Sequence, residues 1–258
     1  MSYTVLLVED EQLVREELAS ATPWKELDLE LVATAADGLD GEAKIQLLNP
    51  DIVITDIRLP GQDGLQMLSH TPVSHAVILS GYTDFGYTQT AIRLGVFDYL
   101  QKPIDPDQLE ATLKSLVQRM KEEDQDLIRL KSTRHQETDN ELIPLPRTVN
   151  NHIINSAIGY IASNFSRPVG LQEAASYLAL SESHLSRLFK EETGLNFLQY
   201  LNAWRINKAA QMMKDPRKNI SEIATGCGFP TPGYFAKIFK RFSGYTPTQY
   251  RDLCSQQH

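Results

Sequence analysis

Across residues 1–105, short apolar runs alternate with stretches in which apolar residues recur every three or four positions. The runs are Tyr3–Val8, Leu29–Thr34, Asp51–Thr55, Ala76–Ser80 and Phe97–Leu100. Near-continuous apolar runs fit strands buried on both faces. The periodic stretches predict helices at roughly 11–22, 39–48, 63–70 and 84–94. Strict alternation of the two predicts a parallel sheet with helices on both sides.

Asp105 and Pro106 then start a long helix, an N-cap acid followed by proline at the first helical position. Its apolar residues are Leu109, Leu113, Leu116, Met120, Leu127 and Leu130, a heptad with Glu123 at one seam position. The first of these pack on the preceding domain. The extension to Leu130 reads either as a parallel coiled-coil stalk or as a solvated helix. Residues 131–150 are polar, end in Ile143-Pro144-Leu145-Pro146, and read as linker. The chain thus divides into a domain at 1–120, a helical linker at 121–150 and a second domain at 151–258.

From residue 151 helical periodicity replaces strand signals. An internal echo runs through this half: Leu171–Leu178 and Ile220–Cys227 are similar short amphipathic helices, about 49 residues apart. Each precedes a turn and a helix with an apolar-Phe-Lys core, Leu188-Phe189-Lys190 and Ile238-Phe239-Lys240. Two helix–turn–helix units follow from that repeat. Ser181 caps one reading helix and Thr231-Pro232 the other. Asn196 to Met213 reads as the connecting helix, with Leu198, Leu201, Ile206 and Met213 among its apolar positions.

Charge separates the two halves. The net −8 is made of −11 in residues 1–120, −2 in 121–150 and +5 in 151–258. A basic back half behind an acidic front suggests a polyanionic partner for the second domain. No run approaches the roughly 18 apolar residues of a membrane span. No signal peptide is visible at the start, and Cys227 and Cys254 are the only cysteines. Reduced thiols and a cytoplasmic location are expected. Cys227 reads as a buried small hydrophobe.

The candidate chemistry lies at strand ends. Glu9 and Asp10 end the first run and Asp56 follows the third. In one parallel sheet these three carboxylates converge at the carboxyl edge, where like charges are costly unless a cation sits among them. Hard oxygen donors suit Mg²⁺, and a bound Mg²⁺ lets a carboxylate attack a phosphoryl group. Ser80 ends the fourth run, Tyr99 lies in the fifth, and Lys102 follows it. Each has a plainer reading alone: a turn-forming Asp, a Lys-Pro turn, a core tyrosine. Their joint order at successive strand ends opens onto the crevice where such sheets place ligands.

Glu9-Asp10, Asp56-Ile57-Arg58-Leu59-Pro60, Ser80 and Lys102-Pro103 together resemble a two-component receiver domain. The resemblance implies a flavodoxin-like fold, a five-stranded parallel sheet in order 2-1-3-4-5. It makes Asp56 the phospho-acceptor. Glu9, Asp10, Asp56 and the backbone carbonyl of Arg58 become the Mg²⁺ site. Ser80 and Tyr99 become the switch pair, Lys102 the phosphate-binding lysine, and Lys102–Pro103 a cis peptide. It implies a partner histidine kinase and a face at 84–100, with Ala91, Ile92, Leu94 and Val96, that pairs phosphorylated receivers into a homodimer.

Residues 151–253 resemble an AraC-type DNA-binding domain, all-α with a double helix–turn–helix. The resemblance rests on Leu171–Ala175, Ser181–Lys190, Glu192–Gly194, Ile220–Ala224, Gly228-Phe229, Tyr234-Phe235, Phe239-Lys240 and Thr246–Arg251. It places Ser183, Ser186 and Arg187 against bases from the first unit, with His184 on the same outward face, and Gly233, Tyr234 and Lys237 from the second. Lys190, Lys240 and Arg241 are expected at phosphates. Pro232-Gly233 stands where polar side chains are usual, so the second unit is expected to read few bases.

Two rival functions differ in class. A ligand-gated AraC-type regulator would need a small-molecule pocket in front rather than an acidic cluster. A phosphatase would need an acid two residues beyond its nucleophile, where Arg58 stands. The expected protein is therefore not an enzyme, beyond slow self-dephosphorylation.

Overall fold

The computed structural model describes residues 2–71, 73–81, 87, 90–91, 96–132, 141–215 and 217–255, Lys131 by its backbone only. These form two compact units, Met1–Met120 and Lys121–His258.

The first unit is built from β1 (Tyr3–Val8), α1 (Gln12–Ala21), β2 (Leu29–Ala35), α2 (Gly38–Leu48), β3 (Ile52–Asp56), α3 (Gly64–His70), β4 (His75–Ser80) and β5 (Asp98–Gln101). α4 (Pro106–Ser132) follows, and its residues up to Met120 belong to this unit. All strand pairs are parallel, in the order β2-β1-β3-β4-β5. Strand side chains alternate between faces. Val5, Leu7, Ile52, Ile54, Val77 and Leu79 join Leu18 of α1 and Leu109, Leu113 and Leu116 of α4 in one core. Leu6, Val8, Val53, Ala76 and Ile78 join Ile45 of α2 and Leu65, Met67 and Leu68 of α3 in the other. The sheet is covered on both sides, which is why its strands carry unbroken apolar runs. Most of the helix expected at 84–94, with Ile92 and Leu94, lies outside the described residues. Within it Ala91 is buried.

Strand register places the chemistry. Val8 pairs with Thr55, Asp56 with Leu79, and Ser80 with Gln101. Glu9, Asp56, Ser80 and Lys102 therefore stand side by side where the strands end.

The second unit contains α5 (His152–Asn164), α6 (Leu171–Tyr177), α7 (Glu182–Thr193), α8 (Phe197–Met213), α9 (Ile220–Gly226), α10 (Pro232–Ser243) and α11 (Pro247–Ser255). The repeat legible in the sequence recurs atom for atom. Ser181 Oγ caps His184 N at 3.3 Å, and Thr231 Oγ1 caps Tyr234 N at 3.1 Å. Both reading helices end in a left-handed glycine, Gly194 and Gly244. Thr193 and Ser243 hydroxyls donate back to Phe189 and Phe239 carbonyls, each at 2.7 Å.

α8 is buried over most of its surface, with Tyr200, Leu201, Ala203, Ile206 and Ala209 at 0 % exposure. Leu198, read among its apolar positions, is instead exposed at 43 %, on a different side of the first turn from the buried Phe197 and Leu201. The segment 121–150, read as a helical linker, supplies part of α8's cover. Leu127, Ile143 and Leu145 are buried in the unit's core. Asn207 bonds both the N–H and the carbonyl of Ile143, at 2.8 and 2.7 Å, and Tyr200 donates to the Pro146 carbonyl at 2.7 Å. The heptad positions are thus spent within the chain: Leu109 to Met120 in the first core and Leu127 in the second. A coiled-coil seam needs those side chains free, so the stalk reading does not hold for them. The sequence could not show this, because a heptad does not say what fills its seam.

Candidate functional site

Lys102 follows β5 and reaches across the strand ends. Its Nζ lies 2.8 Å from Glu9 Oε1 and makes a second, very short ion pair with Asp56 Oδ2. Glu9 is wholly buried, Asp56 nearly so, and Asp10 is exposed. One carboxylate oxygen from each of Glu9, Asp10 and Asp56 lies within 4.8 Å of the others. Glu9 Oε2 is buried without a hydrogen-bond partner among the described residues. A buried carboxylate oxygen facing two further acids is a strong cation acceptor.

The loops around this cluster are tightly fixed. Arg58 N donates to Asp56 Oδ1 at 3.0 Å, and Lys102 N donates to the Ser80 carbonyl at 2.7 Å. The Lys102–Pro103 peptide is cis. A Cβ at Gly64 would stand 2.1 Å from the Asp56 carbonyl oxygen, so α3 can begin this close to the acid only with glycine there. Arg15 was not anticipated. Its guanidinium donates to the backbone carbonyls of Glu9 and Asp10, at 2.5 and 3.1 Å, pinning the acidic pair. Its position in the first turns of α1 was the only available signal. Ser80 is buried and Tyr99 half-buried against the Ile78 and Ala91 side of the sheet.

Burial pushes the Glu9 carboxyl up from the ordinary glutamate range. Lys102 pulls it partly back, and the Asp56 charge adds to the rise. Burial also opposes charge on Lys102, but its hydrogen bonds to Asp56 and Glu9 outweigh that and hold its pKa above the ordinary lysine value. The sign follows for Glu9. A folded pKa above the unfolded one contributes stability at low pH that is lost as pH rises through the folded value. Without divalent cations Glu9's own contribution to stability should therefore shrink as pH climbs above about 4.5. Glu9→Gln should remove that decline and raise the melting temperature at pH 7. A melting temperature at pH 7 that falls in the variant would contradict this account.

In the second unit Ser183, His184, Arg187, Lys190 and Lys240 are exposed, and Ser186, Gly233, Tyr234, Lys237 and Arg241 are half-buried. Leu185, Phe189, Phe235, Ile238 and Phe239 are buried beneath them. Arg187 pairs with Glu191 at 3.1 Å on the surface. Tyr234 leans onto Phe229, with ring centroids 6.4 Å apart, rather than pointing cleanly outward. Lys190 and Arg241 are engaged by carboxylates of α4, at 3.1 Å to Asp126 and 2.7 Å to Asp124. Sequence reasoning missed those acids because pairing over this distance leaves no local spacing signal. Among the described residues no helix is long and apolar enough to cross a membrane.

The response regulator receiver domain family matches residues 5–114, and a helix-turn-helix domain family matches residues 174–252. An "Uncharacterized response regulatory protein" of Staphylococcus epidermidis is 31 % identical over 259 residues, spanning 97 % of this chain and 99 % of its own. The transcriptional regulatory protein HptR of Staphylococcus aureus is 31 % identical over 251 residues, 96 % of this chain and 98 % of its own. Among solved structures, the REC domain of AraT, a response regulator from Geobacillus stearothermophilus, is 33 % identical, covering 48 % of this chain and 98 % of that one, with a TM-score of 0.45. The chain belongs to the response regulators, as a receiver domain joined to an AraC-type helix-turn-helix domain. It is a DNA-binding transcriptional regulator of the two-component type, and the ligand-gated alternative falls with the receiver assignment.

Proposed function

We propose that Asp56 accepts a phosphoryl group from a partner histidine kinase and that this switches DNA binding by the second domain. The carrying observation is the Lys102 ammonium held between Asp56 and the buried Glu9 beside Asp10. The donor set is all oxygen, and Glu9 offers an unsatisfied buried one, which fits Mg²⁺. Glu9, Asp10, Asp56 and the Arg58 carbonyl would hold the ion, which supplies charge neutralisation during transfer. An Asp56 carboxylate oxygen attacks the phosphorus of the kinase's phosphohistidine, the P–N bond breaks and the imidazole leaves with the kinase, and Lys102 offsets the roughly −1.5 to −2 charge that arrives. Ser80 donates to a phosphoryl oxygen, and Tyr99 follows the Ser80 loop inward. Arg58 cannot protonate a leaving group as an acid would, so turnover is confined to slow self-dephosphorylation.

The altered sheet edge then favours a homodimer, whose paired AraC-type domains engage promoter DNA. Labelling of Asp56 by acetyl phosphate is the deciding measurement for the acceptor. On DNA, Arg187 reads a base and Lys240 a phosphate. Arg187→Ala should cost about 1–3 kcal/mol on an operator and little on random duplex. Lys240→Ala should weaken both alike and reduce the salt slope by about 1. Equal losses from both variants on both duplexes would refute the partition.

A further inference from the structure

One turn of α4 holds a cation from each reading helix of the second unit. Lys190 lies in the last turn of α7 and Arg241 in the last turn of α10. Lys190 Nζ is 3.1 Å from Asp126. Arg241 donates to Asp124 at 2.7 Å and lies 4.0 Å from Glu123. The turn itself is anchored. The Glu123 carbonyl accepts from Gln199 at 2.8 Å, its carboxylate accepts from Asn196 at 3.2 Å, and Leu127 is buried next to it. The acids are therefore held in position by packing, which spares much of the entropy that weakens ordinary surface pairs. Arg241 is only 21 % exposed, so salt screens its pair less than a surface one.

We propose that residues 123–126 are an internal stand-in for DNA phosphate. They occupy Lys190 and Arg241 in the free protein, and a duplex gains those two contacts only by displacing them. This rests on the DNA-binding reading of the second domain. Because both cations answer to one rigid turn, their release is coupled. That same helix has Leu109, Leu113 and Leu116 in the receiver core, so the restraint is covalently continuous with the phosphorylated domain.

The test uses the full-length unphosphorylated protein and a fluorescent random-sequence duplex, titrated by anisotropy at several salt concentrations. Asp124→Asn combined with Asp126→Asn should bind about tenfold more tightly, and its log–log salt slope should steepen by about 1.8, the value for two added phosphate contacts. In a Lys190→Ala, Arg241→Ala background the same acid changes should give no gain. Unchanged affinity, weaker binding, or a gain that persists without the cations overturns the proposal; the last would reveal only a general field effect. If the acid variant melts below the assay temperature, Lys190→Gln alone decides. An engaged lysine predicts a change below about twofold, and a loss of tenfold, the scale of an available phosphate contact, overturns it. Absence of binding by the wild type at low salt would instead refute the DNA-binding reading itself.

Discussion

Asp56→Asn should take up no phosphoryl group from acetyl phosphate, a loss of at least roughly a thousandfold in labelling, because the carboxylate nucleophile is gone and an amide does not replace it. The fold should survive the change. Asp56 is almost buried among Glu9, Asp10 and Lys102, so removing one negative charge relieves repulsion while Lys102 keeps its 2.8 Å partner Glu9. Intact-mass measurement after incubation with acetyl phosphate and Mg²⁺ reads the outcome directly. The neighbouring acids are poor substitutes. Glu9 is wholly buried and its pKa is raised by burial, and Asp10 stands outside the Lys102 bridge. Wild-type labelling of the variant would place the acceptor elsewhere and dismantle the phosphoryl site as drawn.

The receiver half was legible because each of its signals is local. Short apolar runs such as Val5–Val8 and Ile52–Ile54, alternating with helical patterns, fit strands covered on both sides, and a parallel sheet then brings their carboxyl ends together. Glu9, Asp56, Ser80 and Lys102 needed no distance information beyond that. Arg15 escaped notice because it acts on backbone carbonyls, which leave no trace in side-chain spacing.

The second half shows the opposite limit. Caps at Ser181 and Thr231 and the repeat itself were readable from residue types. The partners of α8 were not. A helix that buries polar residues such as Gln199, Asn202, Arg205 and Asn207 along with its apolar ones has no clear polar face to betray its orientation, and the linker-like segment 121–150 hid Leu127, Ile143 and Leu145 as core residues. Composition averages over such a segment, whereas packing depends on three side chains within it. The same oversight concealed Asp124 and Asp126, which pair with Arg241 and Lys190, two residues expected at phosphates.

Gly228→Ala should unfold or nearly unfold the DNA-binding unit, with a stability loss of about 3 kcal/mol or more. Two effects combine there. Gly228 has φ +80°, and a Cβ on it would stand 2.4 Å from the Phe165 carbonyl oxygen, 2.9 Å from the Ser166 carbonyl carbon and 3.1 Å from an Arg205 nitrogen. The obstacles are rigid. Phe165 ends α5, and the buried Arg205 guanidinium is tied to the Phe165 and Arg167 carbonyls at 2.8 and 2.9 Å. The protein contains its own controls for separating strain from collision. In the first repeat the equivalent turn carries Ala179 at φ 54°, so a left-handed backbone alone is tolerated at this place in the motif. Gly194, at φ +74°, has open space where its Cβ would go. Gly194→Ala should therefore cost only about 1 kcal/mol, the price of the dihedral angle. Urea unfolding of both variants followed by circular dichroism gives the comparison. Equal losses would mean that backbone strain alone makes position 228 a glycine, and that the close approach of α9 to the end of α5 imposes nothing on the sequence.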